Sequence, residues 1–223
     1  MAEKWQCSFS QPKEWLKGSV IGSGSFGTVH LAIDTATGSL FVAKSARSEA
    51  GIKSLKNEAN ILESLNSPHI VKCIGKDISF AKNGATKYSL FFEYMAGGSL
   101  SDVLQKLGAL NEKLIRLYTR EILRGLKYLH ENGIVHSDVK CKNVLLGASG
   151  DVLRNEGLDF AADIWSLGCT VIEMATGWPP WGGDGSNPMA KMLKIAKGND
   201  VPEFPGHFSS EGLDFLSRCL ERI

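Results

Sequence analysis

Long apolar runs are missing from this sequence. Nothing in its 223 residues approaches the roughly 20 consecutive apolar positions that a bilayer-spanning helix needs, so no helical membrane span is expected. Charge of one dominant sign is missing too. The 25 Lys+Arg and 24 Asp+Glu leave a net charge of +1, which gives no electrostatic reason to expect nucleic acid or an acidic membrane as partner. No basic stripe interleaved with aromatics appears, as a nucleic-acid reader would show. Cysteine is sparse and scattered: Cys7, Cys73, Cys141, Cys169 and Cys219 include no CxxC pair, so neither a zinc site nor a disulfide framework is expected, and a reducing compartment fits. Internal repeats and low-complexity segments are absent. The first ten residues, MAEKWQCSFS, lack the apolar core of a signal peptide. The expected location is cytoplasmic, with the nucleus as the alternative.

The apolar fraction of 43% is ordinary for a globular chain, and the length allows one sizeable domain or two small lobes. The first half reads as strands with one helix. Val29, Leu31 and Ile33 alternate with polar or small residues, the period of a half-buried strand. Thr37-Gly38 turns into a second strand around Leu40 to Lys44. Ile52, Leu55, Ala59 and Leu62 recur at helical spacing and predict a helix from about Ile52 to Leu65, stopped by Pro68. Ile70 to Gly75 and Tyr88 to Tyr94 read as two more strands separated by the polar stretch Ala81 to Lys87. After Gly97-Gly98 the character turns helical, and the boundary is expected near Met95 to Gly98. Ser99-Leu-Ser-Asp102 has capping-box spacing for a short helix. Asn111 caps a longer one with Leu114, Leu117, Tyr118, Ile122, Leu126 and Leu129 on its face. Ala161 to Thr176 is apolar nearly all round, so it is expected to be buried, and further helices are expected at Asn187 to Ala196 and Ser210 to Leu220.

Three stretches carry chemistry. Ile21-Gly22-Ser23-Gly24-Ser25-Phe26-Gly27-Thr28-Val29 has GxGxxGxV spacing, and glycines there would let backbone N–H groups approach phosphates. A plain glycine hairpin is the alternative. A dinucleotide-binding fingerprint would need a helix straight after the last glycine, and here a strand follows. Lys44 lies on the next strand and Glu58 on the following helix. Alone they could be a snorkelling lysine and a solvated glutamate, but their distance from the glycine stretch lets the lysine reach phosphates and the glutamate pair with it. His136-Ser137-Asp138-Val139-Lys140-Cys141-Lys142-Asn143 is the most specific stretch, placing a carboxylate base, a phosphate-facing lysine and a metal-binding amide on one loop.

With these motifs the chain resembles a eukaryotic serine/threonine protein kinase over residues 15 to 220, with one internal gap. HSDVKCKNVLL, with DIWSLGCTVIEMATGWPPW downstream, resembles the MAP kinase kinase kinases of plants. The resemblance implies an α+β, two-lobed protein-kinase-like fold: an N-terminal extension (1–14), a small β-rich N-lobe with one helix (15–97) and a truncated helical C-lobe (98–223). It implies ATP with Mg2+ as cofactors and a protein substrate, a MAP kinase kinase, in a signalling cascade. Gly22, Gly24 and Gly27 would cover the phosphates, Ile21 would join them in binding the cofactor, and Lys44, paired with Glu58, would hold the phosphates. Val29, Ala43 and Leu145 would sandwich the adenine. Glu93 and Met95 would offer backbone bonds to its edge, with Phe92 as gatekeeper. Asp138 would accept the substrate hydroxyl proton, Lys140 would steady the γ-phosphate, Asn143 would ligate metal, and Asp163 would anchor the catalytic loop. Ser137 stands where the family usually has arginine.

The family pattern also breaks. Only 19 residues separate Asn143 from Asp163, where the family places a hairpin, the DFG aspartate, the activation loop and the APE motif. Roughly three dozen residues are missing by comparison with the kinase motif order, with the junction expected at Val152-Leu153. Leu158-Asp159-Phe160-Ala161 mimics the DFG context but runs directly into the next helix, so Asp159 is not expected to bind metal. The chain stops at Ile223, where the family continues with an arginine-containing loop and a last helix. Two readings follow: a serine/threonine kinase of the MAP kinase kinase kinase type, or a catalytically impaired variant acting as an interaction module.

Overall fold

A computed structural model describes residues 11–24, 27–80, 84–147, 160–180 and 201–221. The chain divides into two compact units, one holding the residues up to Asn66 with Val71–Tyr94, the other holding Ser67–Ile70 and the residues from Met95 on.

The first unit is an antiparallel five-stranded sheet with one helix: β1 (Trp15–Gly24), β2 (Gly27–Asp34), β3 (Leu40–Ala46), α1 (Glu49–Glu63), β4 (Cys73–Phe80) and β5 (Thr86–Glu93), in the order β1-β2-β3-β5-β4. The β2–β3 turn closes because Gly38, at φ 73°, donates its N–H to the Asp34 carbonyl at 2.8 Å. The pairing register sorts side chains onto two faces. Val42 sits opposite Leu31 and Phe92, and Lys44 opposite Val29 and Leu90. On the other face Ala32, Phe41, Ala43 and Phe91 form a core against which Trp15 and Ile74 pack. The Trp15, Phe41 and Phe91 rings meet edge-on with centroids 5.0 to 5.9 Å apart. Helix α1 starts where the Ser48 hydroxyl accepts from Gly51 N–H, and it buries Leu55, Glu58, Ala59 and Leu62.

The expected strand at Ile70 to Gly75 lies later, at Cys73–Phe80. Its outer half hides from burial arithmetic: β4 is an edge strand in which Ile78 and Phe80 are exposed.

The second unit holds α2 (Leu100–Leu107), α3 (Glu112–Glu131), a 3-10 turn (Cys141–Asn143), α4 (Phe160–Thr176) and α5 (Ser210–Cys219). Ser99 and Asp102 form the capping box that opens α2, and Asn111 Oδ1 accepts from Leu114 N–H at the start of α3. The inward stripe of α3 is Ile115, Thr119, Ile122, Leu126 and Leu129. Leu114 and Leu117, expected inside, are exposed. At 3.6 residues per turn Leu114 lies about a quarter-turn, and Leu117 nearly half a turn, from the centre of a stripe spaced four, three, four and three. Helix α4 buries Asp163, Leu167, Gly168, Thr170, Val171, Ile172, Met174 and Ala175, which explains its nearly unbroken apolar sequence. Helix α5 is tied to α3 by Glu112, which accepts from Ser209 N–H at 2.9 Å and from its hydroxyl at 2.6 Å. The helix expected at Asn187 to Ala196 lies outside the described residues.

Candidate functional site

The glycine stretch is the β1–β2 hairpin, with Gly22 opposite Val29 and Gly24 opposite Gly27. Ile21 is half exposed on β1. The three glycines differ in what the fold itself demands. A Cβ on Gly27 would meet the Ser45 carbonyl oxygen at 2.7 Å, so neighbouring backbone forbids it. A Cβ on Gly22 would make only ordinary contact with Val29, and one on Gly24 would meet nothing within 4 Å. Neither has positive φ. Nothing among the described residues asks for glycine at 22 or 24, which fits a backbone that a phosphate must approach closely.

Lys44 and Glu58 are joined across β3 and α1, Nζ to Oε2 at 2.5 Å, with side chains 14% and 4% exposed. The pair forms because β3 alternation turns Lys44 towards the α1 face and the helical stripe Leu55, Glu58, Ala59, Leu62 turns Glu58 towards the sheet. Val29, Val42 and Phe92 share the Lys44 face by register. Ala43 does not. It is fully buried in the core on the opposite face, so it is not placed to sandwich a base beside Lys44. Strand period 2 puts Val42 there instead.

Glu93 is fixed by its neighbour in the sheet: its N–H donates to the Lys72 carbonyl at 3.1 Å and its Oε1 accepts from Lys72 N–H at 2.7 Å. The Met95 carbonyl accepts from Gly98 N–H, while the Met95 N–H has no acceptor among the described residues.

In the second unit the 136–143 loop is pinned from below. Val135, His136, Val139, Cys141 and Val144 are buried, leaving Ser137, Asp138 and Lys140 exposed. Asp163, wholly buried on α4, accepts from His136 N–H and Ser137 N–H, each at 2.7 Å, and its Oδ2 lies 2.8 Å from His130 Nε2. Those bonds hold Ser137 at φ 60°, a left-handed conformation costly for a non-glycine residue, and so turn Asp138 outward. Burial pushes the His136 imidazole down to about 4, against the opposing pull of Asp163 and Asp138. Its neutral Nδ1 accepts from Asp138 N–H at 3.2 Å.

Lys140 Nζ donates to Asp138 Oδ1 at 2.7 Å, and Asn143 Nδ2 donates to Asp138 Oδ2 at 2.7 Å and to its carbonyl at 2.9 Å. Two side chains of HxDxKxxN, Lys140 and Asn143, therefore converge on the exposed Asp138 carboxylate. Leu145, half-buried, bridges to Ser99 just beyond. The chemistry available is a fixed carboxylate able to take a hydroxyl proton, with a cation beside it.

Divalent metal is a poorer fit. Asn143 offers an amide oxygen, and Asp138 a carboxylate whose two oxygens are already bonded. Among the described residues no group of three His, Cys, Asp or Glu side chains could hold a metal ion. A magnesium site draws on one or two carboxylates with phosphate and water oxygens, and the second carboxylate is lacking among the described residues. Val152, Leu153 and Asp159 lie outside them.

Sequence reading missed His130, the third partner of Asp163, and Val42. The two-residue strand period counted from Lys44 was the signal for Val42. No local signal marks His130.

The protein kinase domain family matches residues 15–154 and 148–223, two pieces meeting at 148–154. Human mitogen-activated protein kinase kinase kinase 1 is 34% identical over 259 positions, covering 96% of this chain and 17% of that protein. Mitogen-activated protein kinase kinase kinase A of Dictyostelium discoideum is 33% identical over 250 positions, covering 94% of this chain and 26% of its own length. Mitogen-activated protein kinase kinase kinase 17 of Arabidopsis thaliana is 34% identical over 245 positions, covering 94% and 65%. Each alignment is longer than the 223-residue chain, so the relatives carry residues inside the matched region that this chain lacks. With the fold, the buried Lys44–Glu58 pair and the Asp138 loop in place, the chain belongs to the protein kinase family, as a serine/threonine kinase resembling the mitogen-activated protein kinase kinase kinases.

Proposed function

We propose that this chain binds ATP through the glycine hairpin and Lys44 and transfers its γ-phosphate to a serine or threonine of a MAP kinase kinase. The observation that supports this most is the convergence of Lys140 and Asn143 on Asp138, on a loop held by two backbone N–H bonds to Asp163. Asp138 takes the hydroxyl proton as the oxygen attacks phosphorus, Lys140 offsets the charge gathering at that point, and Lys44 holds the non-transferred phosphates. Family members work with ATP and Mg2+. Magnesium, were it bound with the nucleotide, would supply charge neutralisation, and Asn143 is the residue of the described loop that would hold it.

A second reading has its own support: the family match breaks at 148–154 and the alignments outrun the chain. Removing a single pre-organised electrostatic group costs about 10²–10³ in rate, so from a family rate of ~1–100 per second a chain whose described residues supply no second metal carboxylate would transfer phosphate very slowly. It then serves by binding nucleotide or competing for partners.

Transfer of radiolabelled γ-phosphate to a recombinant MAP kinase kinase, with Asp138→Asn beside it, separates the readings. Label that disappears in Asp138→Asn supports the first. No label, with an ATP-induced rise in melting temperature that is indifferent to magnesium, supports the second. Label that survives Asp138→Asn refutes the mechanism.

A further inference from the structure

One cavity in the first unit meets the machinery above only at the end of the glycine hairpin, where Gly27 lines its wall. It measures about 410 Å³ and is lined by Lys17 of β1, Thr28 and His30 of β2, Ser45 of β3, Arg47 just past β3, and Lys87 of β5. In the register Lys17 pairs with Ala32 and His30 with Ala43, residues of the Phe41 and Phe91 core, so the cavity opens on the sheet face opposite Lys44.

Three cations meet at this cavity, and among the described residues none of them is in an ion pair. They act on one another. Burial and the charges of Lys17 and Arg47 push the Lys87 ammonium below its usual range, with Asp77 opposing. Lys87 also stands over the Trp15 ring, 5.5 Å from its centroid, which fixes where its charge sits. The second observation is independent. His30 is only 6% exposed, and among the described residues its buried Nδ1 has no hydrogen-bond partner. Burial, then Lys17, holds the ring below its usual value while it bonds to the Gly18 backbone. An orphaned buried polar nitrogen on a residue that lines the cavity is a cost unless something bonds to it.

We propose that this cavity is a binding site for a phosphate group, free or carried on a phosphoserine or phosphothreonine side chain. The chemistry matches on both counts. Phosphate oxygens accept from Lys17, Arg47 and Lys87, which Coulomb repulsion otherwise penalises. A phosphate whose second ionisation lies near 6 also keeps a hydroxyl for part of the time, able to donate to Nδ1 of His30. The Thr28 hydroxyl adds a neutral donor. A plain carboxylate gives too few oxygens for three cations, and an apolar ligand leaves all of them unanswered.

The test is a titration of the full chain with inorganic phosphate against sodium chloride at matched ionic strength. It is read by the His30 imidazole carbon–proton resonances, assigned through His30→Gln, and by melting temperature. The expected result is a saturable His30 shift, a rise of several degrees in melting temperature that chloride does not reproduce, and at least a tenfold weaker response in Lys17→Ser/Lys87→Ser. Arg47→Gln, exposed and outside the strands, gives the same answer if the double variant unfolds. A phosphoserine peptide binding more tightly than both its unphosphorylated form and inorganic phosphate assigns the group to a protein side chain; equal binding assigns it to free phosphate. Phosphate that leaves His30 unmoved while shifting Gly22 and Gly24, the hairpin glycines outside the cavity, or a response unchanged in both charge-removed variants, overturns the proposal.

Discussion

Replacing Asp163 with alanine should loosen the catalytic loop and cost the protein a large share of its stability. The carboxylate is wholly buried and takes bonds from two backbone N–H groups at 2.7 Å each, with His130 Nε2 at 2.8 Å. Alanine orphans both N–H groups, one of them on the 1%-exposed His136. An unpaired buried donor costs about 1–3 kcal/mol, so the two together cost about 2–6 kcal/mol, against a total stability on the order of 5–15 kcal/mol. Urea unfolding followed by tryptophan fluorescence measures it. At about 1–3 kcal/mol per molar of urea, the midpoint falls by roughly 1 M or more. Asp163→Asn keeps one acceptor oxygen and should lose about half as much. With its anchor gone, Ser137 has no reason to stay at φ 60°, so phosphotransfer should fall more than the folded fraction does. A midpoint for Asp163→Ala within about 0.2 M of the parent would refute the account of how the loop is held.

Three other outcomes follow from the geometry. Lys44→Met takes the lysine partner from the 4%-exposed Glu58 carboxylate and should cost about 3–5 kcal/mol, whereas Lys44→Met/Glu58→Leu recovers most of it in chemical denaturation. Gly27→Ala drives a Cβ into the Ser45 carbonyl and should cost about 1–3 kcal/mol, while Gly24→Ala, with nothing within 4 Å, should leave the melting temperature alone and weaken ATP binding. His136 is held down at about 4 by burial, against about 6.5 unfolded, so the unfolded chain binds the extra proton in that window. Stability should therefore rise with pH from about 4 to 6.5, by up to ~3 kcal/mol, and His136→Gln should flatten the rise measured by urea midpoints.

Much of the scaffold was legible in the sequence because its signals are local. Ser99 with Asp102 and Asn111 with Leu114 are capping pairs three residues apart, and both helices start where those pairs say. The Asp138 loop is equally compact, its polar members lying within six residues. What stayed hidden depends on pairing across the sheet. The position of Ala43 turns on which face of β3 it shares with Lys44, a question of parity that adjacency in sequence answers wrongly. Exposed Ile78 and Phe80 on an edge strand give no burial pattern to read. The cavity at His30 draws on β1, β2, β5 and the end of β3, residues up to 70 positions apart, and no window of sequence brings them together.

The division of the chain after Asn66, Ile70 and Tyr94 has a consequence for dissection. The polypeptide passes from one unit to the other three times, lending Ser67–Ile70 to the helical unit between α1 and β4. Buried Ile70 and the His69–Glu121 approach at 3.6 Å belong to that lent stretch. A cut at Tyr94 therefore does not release two self-sufficient fragments. It leaves the sheet fragment trailing a short segment whose partners lie in the other piece. The two halves are laced rather than strung, and separating them means unpicking a stitch as well as cutting a thread.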